Sequence, residues 1–92
     1  MSVRLNKDGK VTFVCNPSQE AKSVYIAGDF NGWNPSARRM AKASDGSFRA
    51  RMALAPGAHQ YKFVVDGCWN CDPEAEERCA NPFGSENGVV RL

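Results

Sequence analysis

The sequence predicts an all-β domain built as a two-sheet antiparallel sandwich. Two observations support this prediction: short stretches alternate between apolar and polar residues, and turn-forming residues separate these stretches at short intervals. The pattern indicates about seven short strands, an arrangement typical of sandwiches. The chain has 92 residues, about the size of one domain, so we expect a single domain over residues 1–92.

The first half of the chain predicts two strands and one ordered loop. Alternation over residues 11–15 predicts the first strand, and β-branched and aromatic residues over 23–27 predict the second. That strand ends before Gly28, where turn-forming residues begin. Residues 29–35 place Asn, Gly and Pro around two aromatic residues, which is typical of an ordered loop. This loop presents Trp33.

The middle of the chain predicts two further strands and a tight hairpin. Residues 47–54 and 60–65 alternate again, with one polar face each. A Pro-Gly turn at 56–57 separates them. The Asp-Gly pair at 66–67 is typical of a two-residue hairpin turn, and it leads directly to Trp69.

The last part of the chain predicts a loop and a closing strand. Residues 72–87 are polar and rich in turn formers, so we predict one long loop there, with one helical turn over 74–78 as an option. Residues 88–92 predict the final strand.

Composition argues against several classes of partner. Twelve basic and ten acidic residues give a net charge of +2, and the basic residues are scattered, so we expect no nucleic-acid partner. Apolar runs are only a few residues long, so we expect neither a signal peptide nor a membrane partner. Four cysteines without a secretion signal are expected to be reduced thiols, and the expected location is cytoplasmic.

Residues suited to catalysis are scarce. His59 is the one histidine, and its position at a strand start favours a hydrogen-bonded structural role. The acidic residues at 72–77 are typical of a solvated loop, and no glycine-rich phosphate loop is present. We therefore expect no enzymatic activity and no cofactor.

Three cysteines have the spacing of a weak metal motif. Cys68, Cys71 and Cys79 would supply three thiolates, and Cys15 a fourth if the fold brought it close. A single CxxC pair is weak support, because zinc sites usually carry a second pair. Small, partly buried side chains are the favoured interpretation, so we expect no metal site.

Aromatic and polar loop residues are the remaining candidates for function. Trp33 and Trp69 lie in turn-rich segments, where an indole has less opportunity to join the core. An indole face complements the CH face of a sugar ring, and amide and ammonium groups such as those of Asn87 and Lys62 suit its hydroxyls. The alternatives are purely structural roles. The two tryptophans would cover the core, Lys62 would be a solvated strand lysine and Asn87 would be a turn asparagine.

Several separated motifs resemble those of carbohydrate-binding module family 48. They are VYIAGDFNGW at 24–33, HQYKFVVDG at 59–67 followed by Trp69, and Asp-Pro at 72–73. The sequence is similar in particular to the glycogen-binding domain of the AMP-activated protein kinase β subunit, and the likeness covers residues 23–92. The resemblance implies an immunoglobulin-like sandwich of the early-set type.

The resemblance also implies six carbohydrate contacts. In the family two tryptophans stack on glucose rings, a lysine, a hydroxyl residue and an asparagine bind sugar hydroxyls, and an apolar loop residue inserts into the curve of the glucan. The residues at these positions are Trp33, Lys62, Trp69, Phe83, Ser85 and Asn87. The sequence departs from the family in its cysteines and in Phe83, where an aliphatic residue is expected.

The function implied is non-catalytic binding of α-1,4-glucans such as glycogen, starch or maltooligosaccharides. The alternative is a β-sandwich that docks a kinase-like or glycogen-metabolising enzyme partner. Retention of Trp33, Lys62 and Trp69 argues against docking alone, because a docking surface has no need of these residue types.

Overall fold

The computed structural model describes residues 3–17, 20–82 and 84–92. This part of the chain forms nine strands and one short 3-10 helix, Asp29–Asn31. The strands are β1 (Val3–Leu5), β2 (Val11–Cys15), β3 (Val24–Gly28), β4 (Ala41–Lys42), β5 (Phe48–Met52), β6 (Ala58–Val65), β7 (Cys68–Asn70), β8 (Glu77–Ala80) and β9 (Glu86–Arg91). The predicted all-β sandwich is confirmed.

Two antiparallel sheets make up the fold. The first has the order β1-β2-β5-β4, and the second has the order β3-β6-β9-β8. Strand β6 is the centre of the second sheet. It pairs with β3 along one edge, and its other edge is shared by β9 over its first half and β7 over its second half.

The core lies between the sheets and follows from strand alternation. Phe13 of β2, Ile26 of β3 and the pair Tyr61 and Phe63 of β6 all point inward and are fully or almost fully buried. Tyr61 is the centre of an aromatic group, 5.0 Å from the ring of Phe13 and 5.7 Å from that of Phe63. The inward set at odd positions of β6 is the one that the alternation predicts.

The predicted long loop over residues 72–87 is wrong. Glu77–Ala80 forms β8, which pairs with β9, and β9 itself begins at Glu86. Strand β8 is a short edge strand of mostly exposed residues, so it carries no apolar alternation that a sequence pattern would reveal. The helical turn considered over 74–78 is also absent from the described residues, where a hydrogen bond from Ala75 to Asp72 closes a turn instead.

Strands β1 and β4 were also not predicted. Each has two or three residues and is largely exposed, so only its pairing with a longer neighbour defines it. Across residues 3–17, 20–82 and 84–92 no helix has the length and apolar character needed to cross a bilayer.

Candidate functional site

The outer face of the second sheet carries most of the candidate residues. Even-numbered side chains of β6 point away from the core, and cross-strand partners share a face. Val64 is opposite Trp69, and Gln60 is opposite Val89. The face therefore includes Gln60, Lys62, Val64, Trp69, Asn87 and Val89.

Trp33 is presented by the turn that follows β3. The backbone N–H of Trp33 donates to the carbonyl of Gly28 at 2.9 Å, which closes the turn after the 3-10 helix. Asn31 holds the start of this turn, because its Oδ1 accepts from the N–H of Gly28 and its Nδ2 donates to the carbonyl of Ile26. Gly32 and Trp33 both have positive φ, at 66° and 59°. For a tryptophan this is a strained backbone conformation.

Trp69 is presented by the β6–β7 hairpin. Asp66 and Gly67 form its two-residue turn, and their φ values of 48° and 83° are both positive. A turn with two such residues has a backbone twist that matches the twist of the flanking strands. The Asp66 carboxylate accepts hydrogen bonds from the N–H groups of Lys22 and Ser23, both at 2.9 Å, and so ties the hairpin to the start of β3. Trp69 is 46% exposed, although it lies in a strand and not in a turn.

A groove of about 790 Å³ lies between the two tryptophans, within the size range of small-ligand sites. Its described lining is Asp29, Trp33, Gln60, Lys62, Trp69, Ala80, Asn81, Pro82, Ser85 and Asn87. The indoles supply apolar walls, and strands β6 and β9 with the 81–85 loop supply a polar floor.

A connected set of hydrogen bonds forms the polar floor. Lys62 Nζ donates to Ser85 Oγ at 2.9 Å, and Asn81 Nδ2 donates to Ser85 Oγ at 2.8 Å and to Asn87 Oδ1 at 3.0 Å. Asn87 Nδ2 in turn donates to Gln60 Oε1 at 3.0 Å. Lys62 and Asn87 are 8% and 6% exposed, so the network fixes two polar side chains that are largely withdrawn from water.

Asp29 is a further lining residue of the groove. Its Oδ2 accepts from the backbone N–H of Gln60 at 3.0 Å, and its Oδ1 lies 3.3 Å from His59 Nδ1. His59 Nε2 contacts the carbonyl oxygen of Ala55 at 2.7 Å. Both ring nitrogens of His59 therefore have protein partners, in agreement with the hydrogen-bonded structural role predicted from the sequence.

The structure brings together five of the predicted site residues: Trp33, Lys62, Trp69, Ser85 and Asn87 all line the groove. The sixth, Phe83, lies outside the described residues. Sequence reasoning missed Asp29, Gln60 and Asn81. Gln60 had a usable signal, since it is two residues before Lys62 in the same strand and so shares its face. The sequence offered no such signal for Asn81, because only the tertiary structure brings it to the groove.

The cysteines do not form a metal cluster in the described part of the chain. No group of three His, Cys, Asp or Glu side chains in that part is arranged to hold a metal ion. All four cysteines are free thiols: Cys68 and Cys79 are exposed, Cys71 is half-buried and Cys15 is in the core. Burial, and secondarily the negative charge of Asp72, raise the pKa of Cys15 to about 11.

Comparisons with known proteins show which family this chain is similar to. Residues 11–92 match the family described as the glycogen recognition site of AMP-activated protein kinase. Protein FLOURY ENDOSPERM 6, chloroplastic, from Oryza sativa subsp. japonica is 39% identical over 71 residues, covering 77% of this chain and 12% of the relative. The 5'-AMP-activated protein kinase subunit beta-1 of Sus scrofa is 38% identical over 71 residues, covering 77% of this chain and 55% of the relative.

Two further proteins are similar to this chain. Protein PTST homolog 2, chloroplastic, from Arabidopsis thaliana is 43% identical over 53 residues, covering 58% of this chain and 10% of the relative. The crystal structure of a maltogenic amylase from S. marinus superposes with a TM-score of 0.74 over 90% of this chain and 13% of that one, at 21% identity, which shows a shared fold. The chain thus spans about half or less of these relatives. It belongs to the family of the glycogen recognition site of AMP-activated protein kinase.

Proposed function

We propose that this chain is a non-catalytic module that binds α-1,4-glucans of the glycogen or starch type in the groove between Trp33 and Trp69. The observation that supports this most is the combination of two groove-lining indoles with a hydrogen-bonded polar floor between them. Family membership supports the same ligand class.

Each part of the groove has a role in this proposal. The indole faces of Trp33 and Trp69 stack on the CH faces of neighbouring glucose rings, because the ring quadrupole attracts the weakly positive CH groups. Lys62, Ser85 and Asn87 bind the sugar hydroxyls from below. A concave groove suits a chain that curves, as α-1,4-glucans do, and suits a flat cellulose chain poorly.

The affinity is expected to be modest. Each hydrogen bond or stacking contact contributes on the order of 1 kcal/mol net, because the sugar exchanges contacts with water for contacts with the protein. A few such contacts correspond to dissociation constants in the micromolar to millimolar range.

Tryptophan fluorescence provides the direct test. The protein is titrated with maltoheptaose and with β-cyclodextrin, and cellooligosaccharides serve as the comparison ligands. Saturable quenching by the first two alone is the expected result. Absence of any response would contradict the proposal and direct attention to a protein ligand, namely a kinase-like or glycogen-metabolising enzyme partner.

Trp69→Ala tests the contact residue itself. We expect affinity for maltoheptaose to fall by about tenfold or more, because loss of one well-placed stacking contact removes on the order of 1.5 kcal/mol. Isothermal titration calorimetry measures the affinity, and circular dichroism checks the fold. Leu5→Ala is the matched control: Leu5 is 72% exposed but lies in β1 of the other sheet, so its removal leaves affinity unchanged. Undiminished binding by a folded Trp69→Ala protein would contradict the proposal.

The proposed absence of catalysis has its own test. Incubation of the pure protein with glycogen and maltooligosaccharides is expected to release no reducing sugar. The cytoplasmic location expected from the sequence stays a prediction, and two of the relatives are named as chloroplastic.

A further inference from the structure

We propose that Asn81 is a positioning residue of the groove, whose amide commits the Ser85 hydroxyl to donate a hydrogen bond to an oxygen of the bound sugar. This inference rests on the proposed glucan-binding function. It assigns a role to a residue that neither the aromatic pattern nor the resemblance singled out.

The amide of Asn81 is fully engaged with the residues that face the groove. Its Nδ2 group donates to Ser85 Oγ at 2.8 Å and to Asn87 Oδ1 at 3.0 Å, and its Oδ1 accepts from the backbone N–H of Ser85 at 3.2 Å. One side chain therefore orients two candidate sugar contacts at once.

The number of donor and acceptor sites on the Ser85 hydroxyl determines which of them can still bind a ligand. A serine hydroxyl has two acceptor lone pairs and one donor hydrogen. The described residues occupy both lone pairs, because Lys62 Nζ donates to Ser85 Oγ at 2.9 Å and Asn81 Nδ2 at 2.8 Å. The remaining capacity is the hydroxyl hydrogen. Ser85 is exposed and lines the groove, so this hydrogen is available to a ligand.

The turn itself does not require asparagine at this position. The 81–85 loop is closed by hydrogen bonds from Asn81 N to Ser85 O and from Gly84 N to Asn81 O. The same two bonds close the loop at 6–10, which starts with Asn6, and the loop at 43–47, which starts with Ala43. Because alanine supports the same hairpin at 43–47, the backbone closure of the loop does not depend on the amide of Asn81.

The consequence for recognition is a donor-rich floor. Lys62 keeps two of its three N–H donors after bonding Ser85, and Gln60 Nε2 has no hydrogen-bond partner within residues 3–17, 20–82 and 84–92. Together with the Ser85 hydroxyl, these groups offer hydrogen-bond donors to a ligand. Hydroxyl, ring and glycosidic oxygens of glucose units are suitable acceptors.

Asn81→Asp is the decisive variant. It keeps the oxygen that accepts from the Ser85 N–H, but it replaces both Nδ2 donors by an acceptor, so the Ser85 hydroxyl turns to donate to the new carboxylate. We expect maltoheptaose and β-cyclodextrin to bind about 5- to 10-fold more weakly, as for loss of about one hydrogen bond. Asn6→Asp is the matched control, since it makes the same change in an equivalent hairpin away from the groove, and its affinity should equal that of the wild type.

A double-mutant cycle separates positioning from structural damage. If Asn81 acts through Ser85, the losses from Asn81→Asp and Ser85→Ala are not additive, and the double variant binds more tightly than the product of the two single losses predicts. Additive losses would overturn the inference, because a general disturbance of the loop does not depend on the Ser85 hydroxyl.

The outcomes distinguish this inference from the function on which it rests. If the wild type binds neither sugar, the proposed function fails. If the wild type binds and Asn81→Asp binds equally well, only the role of Asn81 fails. Should Asn81→Asp not fold, Asn81→Ala with Asn6→Ala as control gives the same decision, since the hairpin at 43–47 already tolerates alanine.

Discussion

At the scale of single residues, Trp33 has a backbone conformation that is unfavourable for a tryptophan. Its φ of 59° follows the 66° of Gly32, so two consecutive residues adopt left-handed conformations. Only glycine adopts this region without strain, and the strain for other residues is on the order of 1 kcal/mol. The turn therefore places an indole at the groove at some expense of folding stability.

Substitutions at Trp33 separate the effect of the backbone strain from the effect of the indole side chain. We expect Trp33→Gly to be more stable than Trp33→Ala by about 1 kcal/mol, because glycine relieves the positive φ while both remove the indole. Urea unfolding followed by circular dichroism measures the difference. Both variants should lose glucan affinity equally. Equal stability of the two would show that the backbone at this position is not strained.

At the scale of secondary-structure elements, close packing between β9 and β6 restricts one position to glycine. A methyl group added at Gly88 would lie 2.8 Å from Cζ and 3.1 Å from the hydroxyl oxygen of Tyr61. The Tyr61 ring is fully buried, and its hydroxyl donates to the buried carboxylate of Asp72 at 2.6 Å, so it has little freedom to move. Gly88 thus lets β9 approach the central strand closely enough to place Asn87 on the outer face.

Gly88→Ala is expected to destabilise the fold by about 1–3 kcal/mol through this overpacking. Gly9→Ala is the comparison: a methyl group there meets no atom of the described residues within 4 Å, and its smaller effect of about 1 kcal/mol comes from a φ of +83°. Denaturant unfolding of both variants gives the two values. A smaller effect at Gly88 than at Gly9 would contradict the packing argument.

At the scale of the whole molecule, the core between the sheets contains the thiol of Cys15, which lies near the buried carboxylate of Asp72. Asp72 is 1% exposed, and it accepts from Tyr61 and from the N–H of Glu74. Burial, and secondarily the negative charge of Asp72, disfavours a thiolate at Cys15, and its pKa rises from 9.0 to about 11. Core packing therefore makes folding stability depend on pH on the alkaline side.

The sign of this dependence follows from the raised pKa. Below about pH 9 the thiol is protonated in both the folded and unfolded chains; between about pH 9 and 11 the unfolded chain ionises first, so the stabilising contribution is lost as pH rises. We expect the stability difference between wild type and Cys15→Ala to shrink over this interval in urea unfolding. A constant difference between wild type and Cys15→Ala over this interval would refute the assignment.

Much of the architecture was predictable because its cause is local. Alternation in β2, β5 and β6 separates core-facing side chains from outward-facing ones, and the Asp66-Gly67 pair encodes a left-handed turn within two residues. Of the five predicted groove residues in the described chain, Trp33, Lys62, Trp69 and Asn87 were recognisable from their residue types, and Ser85 from the family resemblance alone.

The sequence by itself therefore determined the all-β class, the long strands, the hairpin that carries Trp69 and the chemical character of the groove. Only the tertiary structure decided that β8 pairs with β9, and that Asp29, Gln60 and Asn81 join the same groove. The physical reason is separation along the chain. A strand without apolar alternation is defined by its neighbour, and a hydrogen bond such as that from Asn87 to Gln60 joins residues 27 positions apart, which no local pattern encodes.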